Sequence, residues 1–150
     1  MRVQAKQEAS IALRGVAVSW EALKAPDHAD ADGFAEWLYK FTVQNPGKLP
    51  IDDVVVRVHL VPEVTRVRYS GRHGTSTQML TMRAPVIAGG GERAWTRRLR
   101  INFADAPRLK ETYATVSFRD VEMVVRTNRW PRVGATASRV EDEAALASQP

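Results

Sequence analysis

The chain has no cysteine, no long apolar run and no tract of low complexity. Without cysteine there is no disulfide framework, no thiolate metal site and no thiol nucleophile. Lys6, Glu8 and Arg14 interrupt the N-terminal region. A secretory leader needs about 7–15 consecutive apolar residues and a membrane helix about 18. Neither run is present, so the expected location is the cytoplasm and no membrane insertion is expected. The chain also lacks any long segment of 3.6-residue apolar periodicity between its turns, which argues against helices covering a parallel sheet.

What the chain does have is 150 residues, enough for one domain that buries about 68–70% of its unfolded surface. Its charge is unevenly placed. Residues 51–132 hold 15 Lys and Arg against 8 Asp and Glu, while the flanks hold 7 against 9. Within that centre only Lys110 is not arginine among the cations. A basic excess of this kind suits an acidic protein, a nucleic acid or an anionic surface.

Short alternating segments dominate. Ile11–Trp20 reads as a first strand with a bulge at Gly15, and residues 25–33 as a polar loop. Phe34–Gln44 alternates Tyr39, Phe41 and Val43 with Lys40, Thr42 and Gln44, and Asn45-Pro46-Gly47 ends it. Ile51–Val61 is the clearest strand, with Val54, Val56, Val58 and Leu60 on one face and Pro62 closing it. Its run of β-branched valines favours a pleated sheet over a helix. Further strands are expected over Val64–Ser70, Gln78–Arg83, Trp95–Phe103, Tyr113–Arg119 and Met123–Thr127, with a loop over 71–77. Seven to eight short strands separated by Gly, Pro, Asn and Asp turns predict an all-β, immunoglobulin-like antiparallel sandwich over residues 11–132. Residues 1–10 are a polar lead-in and 133–150 an acidic, Ala/Ser-rich tail, both expected to be short and loosely held.

The stretch Phe41-Thr42-Val43-Gln44-Asn45-Pro46-Gly47-Lys48-Leu49-Pro50, followed by the valine-rich Ile51–Val56, resembles a pattern of bacterial immunoglobulin-like domains. There a strand ends in Asn-x-Gly-x-x-Pro and a valine-rich strand follows. Val86–Glu92 and Ala114–Asp120 are similar to a version common in actinobacterial proteins. Where that version closes with Gly-x-x-Trp-x-Arg, this chain has Met123-Val124-Val125-Arg126-Thr127-Asn128-Arg129-Trp130. The resemblance implies a spacer or binding module and brings no catalytic residues with it.

No set of residues spells out an acid–base or metal chemistry. His28, His59 and His73 lie apart in two loops and a strand, and no Gly-x-Ser-x-Gly elbow offers a serine. Asp52 and Asp53 are adjacent, so on a strand they would point to opposite faces, and a turn role is expected. His28-x-Asp30-x-Asp32-Gly33 has glycine at the sixth position of a calcium loop. Its first position is histidine and its twelfth is Tyr39, where aspartate and a bidentate glutamate belong. Gly89-Gly90-Gly91 is followed by Glu92-Arg93 instead of the Lys-Ser/Thr of a phosphate loop. Trp20, Trp37, Trp95 and Trp130 read as core or rim packing. No enzyme activity, cofactor or metal is therefore expected.

The arginines carry the sharper expectation. Arg66 with Arg68, and Arg98 with Arg100, have the spacing of two cationic stripes each about 7 Å long. Arg57, Arg72, Arg97 and Arg119 extend the candidate surface, with Arg126 and Arg129 beyond these eight, and Tyr69, Trp95 and Trp130 lie near it in sequence. The expected role is a non-enzymatic accessory module that binds a protein partner, an acidic one, through this surface or an edge strand. Nucleic-acid binding through arginine and aromatic side chains and a structural place in a virion or multimer are the alternatives.

Overall fold

The structure is a computed structural model and describes residues 11–68 and 72–131. Over these residues the chain is mainly β: seven antiparallel strands form one strongly curled sheet around an apolar core. The strands are β1 (Ala17–Lys24), β2 (Phe34–Gln44), β3 (Ile51–Val67), β4 (His73–Ile87), β5 (Glu92–Asn102), β6 (Tyr113–Arg119) and β7 (Val125–Trp130). A 3₁₀ segment, Phe103–Glu111, links β5 to β6.

The long β3 organises the sheet. One of its edges pairs with β4. Its other edge pairs first with β6, over Asp52–His59, and then with β5, over Val64–Val67. One half of the sheet therefore runs β4-β3-β6-β7 and the other β4-β3-β5-β2-β1. Val54, Val56 and Val58 of β3 face Ala84, Met82 and Leu80 of β4, and every one of them is buried. Ala114, Val116 and Phe118 of β6 and Trp37, Phe41 and Val43 of β2 complete the interior with Leu99 and Ile101 of β5. This period-two burial is the expected one.

Several local expectations are corrected. Residues 11–14 are helical, and the Gly15 N–H closes that turn on the Ile11 and Ala12 carbonyls, so Ile11 and Leu13 precede the first strand. Pro62 does not end a strand; β3 continues through it. The β3–β4 register shifts between His59 and Val64, and β6 pairing stops at His59 before β5 pairing begins at Val64. Pro62 falls in this gap, where no neighbour calls for an N–H. The loop expected over 71–77 belongs, from His73 on, to β4, where Val64 and Thr65 pair with Thr77 and Ser76. Tyr69 and Ser70 lie outside the described residues. Phe103 opens the 3₁₀ segment instead of ending β5, and β5 starts earlier, at Glu92. Asp52 and Asp53 sit inside β3, not in a turn, and Asp53 takes φ 49° where the β3–β6 register shifts.

The Asn-Pro-Gly turn follows a different logic from the one its composition suggests. Neither Asn45 nor Gly47 is among the positive-φ residues. Instead Asn45 is buried, and its amide donates to the carbonyls of Leu49, Ile87 and Ala88 at 2.9, 3.2 and 3.1 Å. One side chain thus ties the β2–β3 turn to the β4–β5 turn. A Cβ on Gly89 would lie 2.2 Å from the Lys48 carbonyl oxygen, so the two backbones approach as closely as they do only because that residue is glycine.

The curl also brings the outermost strands together. The Asn128 amide on β7 donates to the Leu13 and Val16 carbonyls at 2.9 and 3.1 Å, and the Trp130 indole to Val16 at 2.7 Å. Side chains here do what a backbone ladder does elsewhere.

Candidate interaction surface

The eight arginines singled out from the sequence divide by what they touch. On the outer face, Arg98 and Arg100 stand two residues apart on β5, as the alternation requires, and both are neutralised from β2 and its preceding loop. Arg98 Nε meets Glu36 Oε1 at 2.6 Å. Arg100 lies 3.1 Å from Asp30 and 3.7 Å from Asp32, and its guanidinium sits 4.2 Å over the Phe34 ring.

The loop that supplies those carboxylates turns on itself. Asp30 Oδ1 accepts the N–H groups of Asp32 and Phe34 at 2.9 and 3.0 Å. The Phe34 N–H, more than Arg100, holds the Asp30 carboxyl below its usual range. The carboxylate at the third position of the calcium-like loop is thus occupied by its own backbone and an arginine. Arg119 is paired as well, 3.0 Å from Asp53.

The remaining five make no ion pair among the described residues. Four of them gather where β3 ends, β4 begins and β5 passes. Arg66 lies opposite Leu99, and so shares a face with Arg97 two residues away on β5. Arg68 N–H donates to the Arg72 carbonyl at 2.9 Å, which places both at the close of the β3–β4 hairpin. Arg66, Arg68 and Arg72 are exposed, whereas Arg97 is half-buried opposite Tyr39. Burial first, and the charge of Arg66 second, push the Arg97 guanidinium below its usual range. Two like charges on one face, one of them partly desolvated and neither in an ion pair among the described residues, make a local anion-seeking pole. The Arg66 and Arg98 stripes lie on opposite faces of the sheet, because Val67, not Arg66, faces Arg98.

The fifth, Arg57, is elsewhere, on the outer face of the β4-β3-β6-β7 half. It lies between Thr81 and Thr115, and Arg129 lies across from Thr115. Arg83 of β4 joins this face, two residues from Thr81. Beside it His59 stacks on Tyr113 with ring centroids 4.5 Å apart and planes 9° from parallel. The Arg129 guanidinium sits 3.9 Å from the Tyr113 ring centroid. An open groove of about 380 Å³, lined by His59, Leu60, Val61, Thr77, Gln78, Met79 and Tyr113, adjoins the stack.

Sequence reasoning missed this assembly: it left Arg83 out and read His59 as an isolated outward residue. The alternation of Met82, Arg83 and Ala84 was signal enough for Arg83. The His59–Tyr113 stack depends on which strands pair, and nothing local announces that. Of the tryptophans, Trp37 is buried and Trp20, Trp95 and Trp130 are partly buried against the core. Among the described residues no three His, Asp or Glu side chains converge as a metal site would require.

No family matches the chain, and neither does any curated protein. Among solved structures it is similar to a structural-genomics target, SoR45, at 11% identity and a TM-score of 0.41, over 76% of this chain and 79% of that one. It is similar to the AT1g01470 protein of Arabidopsis thaliana at 12% identity and a TM-score of 0.36, over 76% and 78% of the two chains. The sporulation control protein Spo0M of Bacillus subtilis follows at 11% and 0.34, over 75% and 46%. Likenesses this distant carry no argument about function.

Proposed function

We propose that this chain is a non-enzymatic interaction module, an immunoglobulin-like sandwich in architecture, that binds an acidic segment of a partner protein in the cytoplasm. The two halves of the curled sheet that share β3 and enclose one core are what support the sandwich reading. A single observation carries the binding reading: Arg66, Arg68, Arg72 and Arg97 meet at one end of the sheet with no carboxylate among the described residues, while Arg98, Arg100 and Arg119 each have one. A paired guanidinium has already exchanged water for a counter-charge; an unpaired cluster keeps that gain for a ligand.

The test compares two variants of equal charge change. Arg66→Glu with Arg68→Glu alters the unpaired pole, and Arg98→Glu with Arg100→Glu alters the paired stripe. Binding to immobilised polyglutamate, measured by interferometry, should fall by about tenfold or more in the first, since each charge-assisted hydrogen bond that the substitutions remove is worth about 1.5–3 kcal/mol. It should change little in the second. Equal losses would reduce the effect to net charge and end the assignment.

A further inference from the structure

A second cationic surface, on the outside of β4, β3, β6 and β7, differs from the pole in one respect: it carries flat aromatic groups among its arginines. Arg57, Arg83 and Arg129 make no ion pair among the described residues. Neighbouring strands stand about 4.8 Å apart, so Arg57 and Arg129, with β6 between them, are about 10 Å apart at the backbone. Arg83 lies diagonally from Arg57, about 7–8 Å away. The hydroxyls of Thr81 and Thr115 lie beside and between them on the same face, each a ready donor to a phosphate oxygen, while that of Thr127 donates to Ser117 at 3.4 Å. At the end of this row the His59–Tyr113 stack borders the groove, with Met79 on its far wall and exposed.

We propose that this face is a site for single-stranded nucleic acid. Backbone phosphates lie along Arg57, Arg83 and Arg129, and a base enters the groove against the His59–Tyr113 stack. An acidic polypeptide would satisfy the guanidinium groups but make no use of the ring stack or the groove. A strand of nucleic acid uses both, because every base has a π-face and phosphates recur along its backbone. A duplex keeps its bases stacked inside, so the groove favours the single-stranded form. Asp52, Asp53 and their partner Arg119 bound the site at the other end of β3.

The experiment is fluorescence anisotropy of the full chain with a labelled thymidine oligomer of about 20 nucleotides, and with an abasic oligomer of the same length and charge. Three phosphate contacts at about −0.7 per contact predict roughly a 20-fold loss of affinity between 50 and 200 mM salt. The thymidine strand should bind about tenfold or more tightly than the abasic one, the gain expected of a stacked base. His59→Ala and Tyr113→Leu, each checked for fold by circular dichroism, should abolish that preference while leaving abasic binding intact. Arg57→Gln with Arg129→Gln should weaken both strands.

Arg66→Glu with Arg68→Glu should leave the thymidine preference unchanged, so this inference and the protein-binding pole fail separately. Equal affinity for the two oligomers, or displacement by polyglutamate as effective as by thymidine strands, would overturn it. The second outcome would give this face an acidic protein as its partner.

Discussion

Met123 adopts φ 66°, a left-handed conformation that a side chain with a Cβ disfavours. It sits in the β6–β7 turn, where Asp120 organises everything around it. The Asp120 side chain is only 4% exposed and accepts the Glu122 and Val124 N–H groups at 2.9 and 3.0 Å and Arg126 Nε at 2.9 Å. Burial alone would raise the Asp120 carboxyl; Arg126 and the two N–H groups outweigh it, and the net shift is downward. The turn is therefore held from its first residue, and Met123, 64% exposed, gains no packing for its strain. Met123→Gly should stabilise the chain by about 0.5–1 kcal/mol, the left-handed penalty of about 1–2 kcal/mol less the backbone entropy of a glycine. Urea denaturation would read this as a higher midpoint at unchanged slope; a lower midpoint would mean that the methionine side chain packs against something that matters.

Elements with strict alternation were legible in the sequence. Phe34–Gln44 and Tyr113–Arg119 fall where the pattern puts them because one face of each is buried and the other wet. The failures share a physical cause. Pro62 and the polar run Thr75-Ser76-Thr77 look like strand breakers, yet both lie in strands, because β3 changes partners at the first and lends backbone pairing to the second. Local propensity cannot see a partner that arrives from elsewhere in the chain.

The join between β1 and β7 was equally hidden, since it rests on Asn128 and Trp130 reaching carbonyls far away in sequence. Asn128→Ala should cost about 0.5–1.5 kcal/mol, the net worth of a hydrogen bond, because Val16 keeps the Trp130 indole and Leu13 keeps the Val16 N–H as donors. Hydrogen exchange should show the loss concentrated in β1 and β7, with β3 protection lowered only through global unfolding. Uniform loss across all strands would instead make this join part of one cooperative core.

At the scale of the whole molecule, the basic excess is sorted, not merely spread. Carboxylates from β2, its preceding loop, the β3 bulge and the β6–β7 turn neutralise Arg98, Arg100, Arg119 and Arg126. Composition revealed the excess but not the sorting, because each pairing joins elements that sequence leaves apart. Among the described residues the hairpin end formed by Arg66, Arg68, Arg72 and Arg97 receives no such partner, and the like charges there repel. A surface kept for a ligand carries such a cost, and removing the repulsion should reveal it. Arg66→Glu sets a carboxylate beside Arg97 in place of a second guanidinium. The exchange should raise stability by about 0.5–1 kcal/mol, the scale of a partly exposed ion pair, while weakening binding to polyglutamate. Salt separates this from a packing effect: from about 50 mM to 1 M the screening length shrinks from more than 10 Å to about 3 Å. Added salt should therefore raise the midpoint of the parent chain relative to that of Arg66→Glu, closing the gap between them. A gap that persists in 1 M salt would mean that Arg66 and Arg97 do not repel, and the pole would lose the feature that marks it as a site.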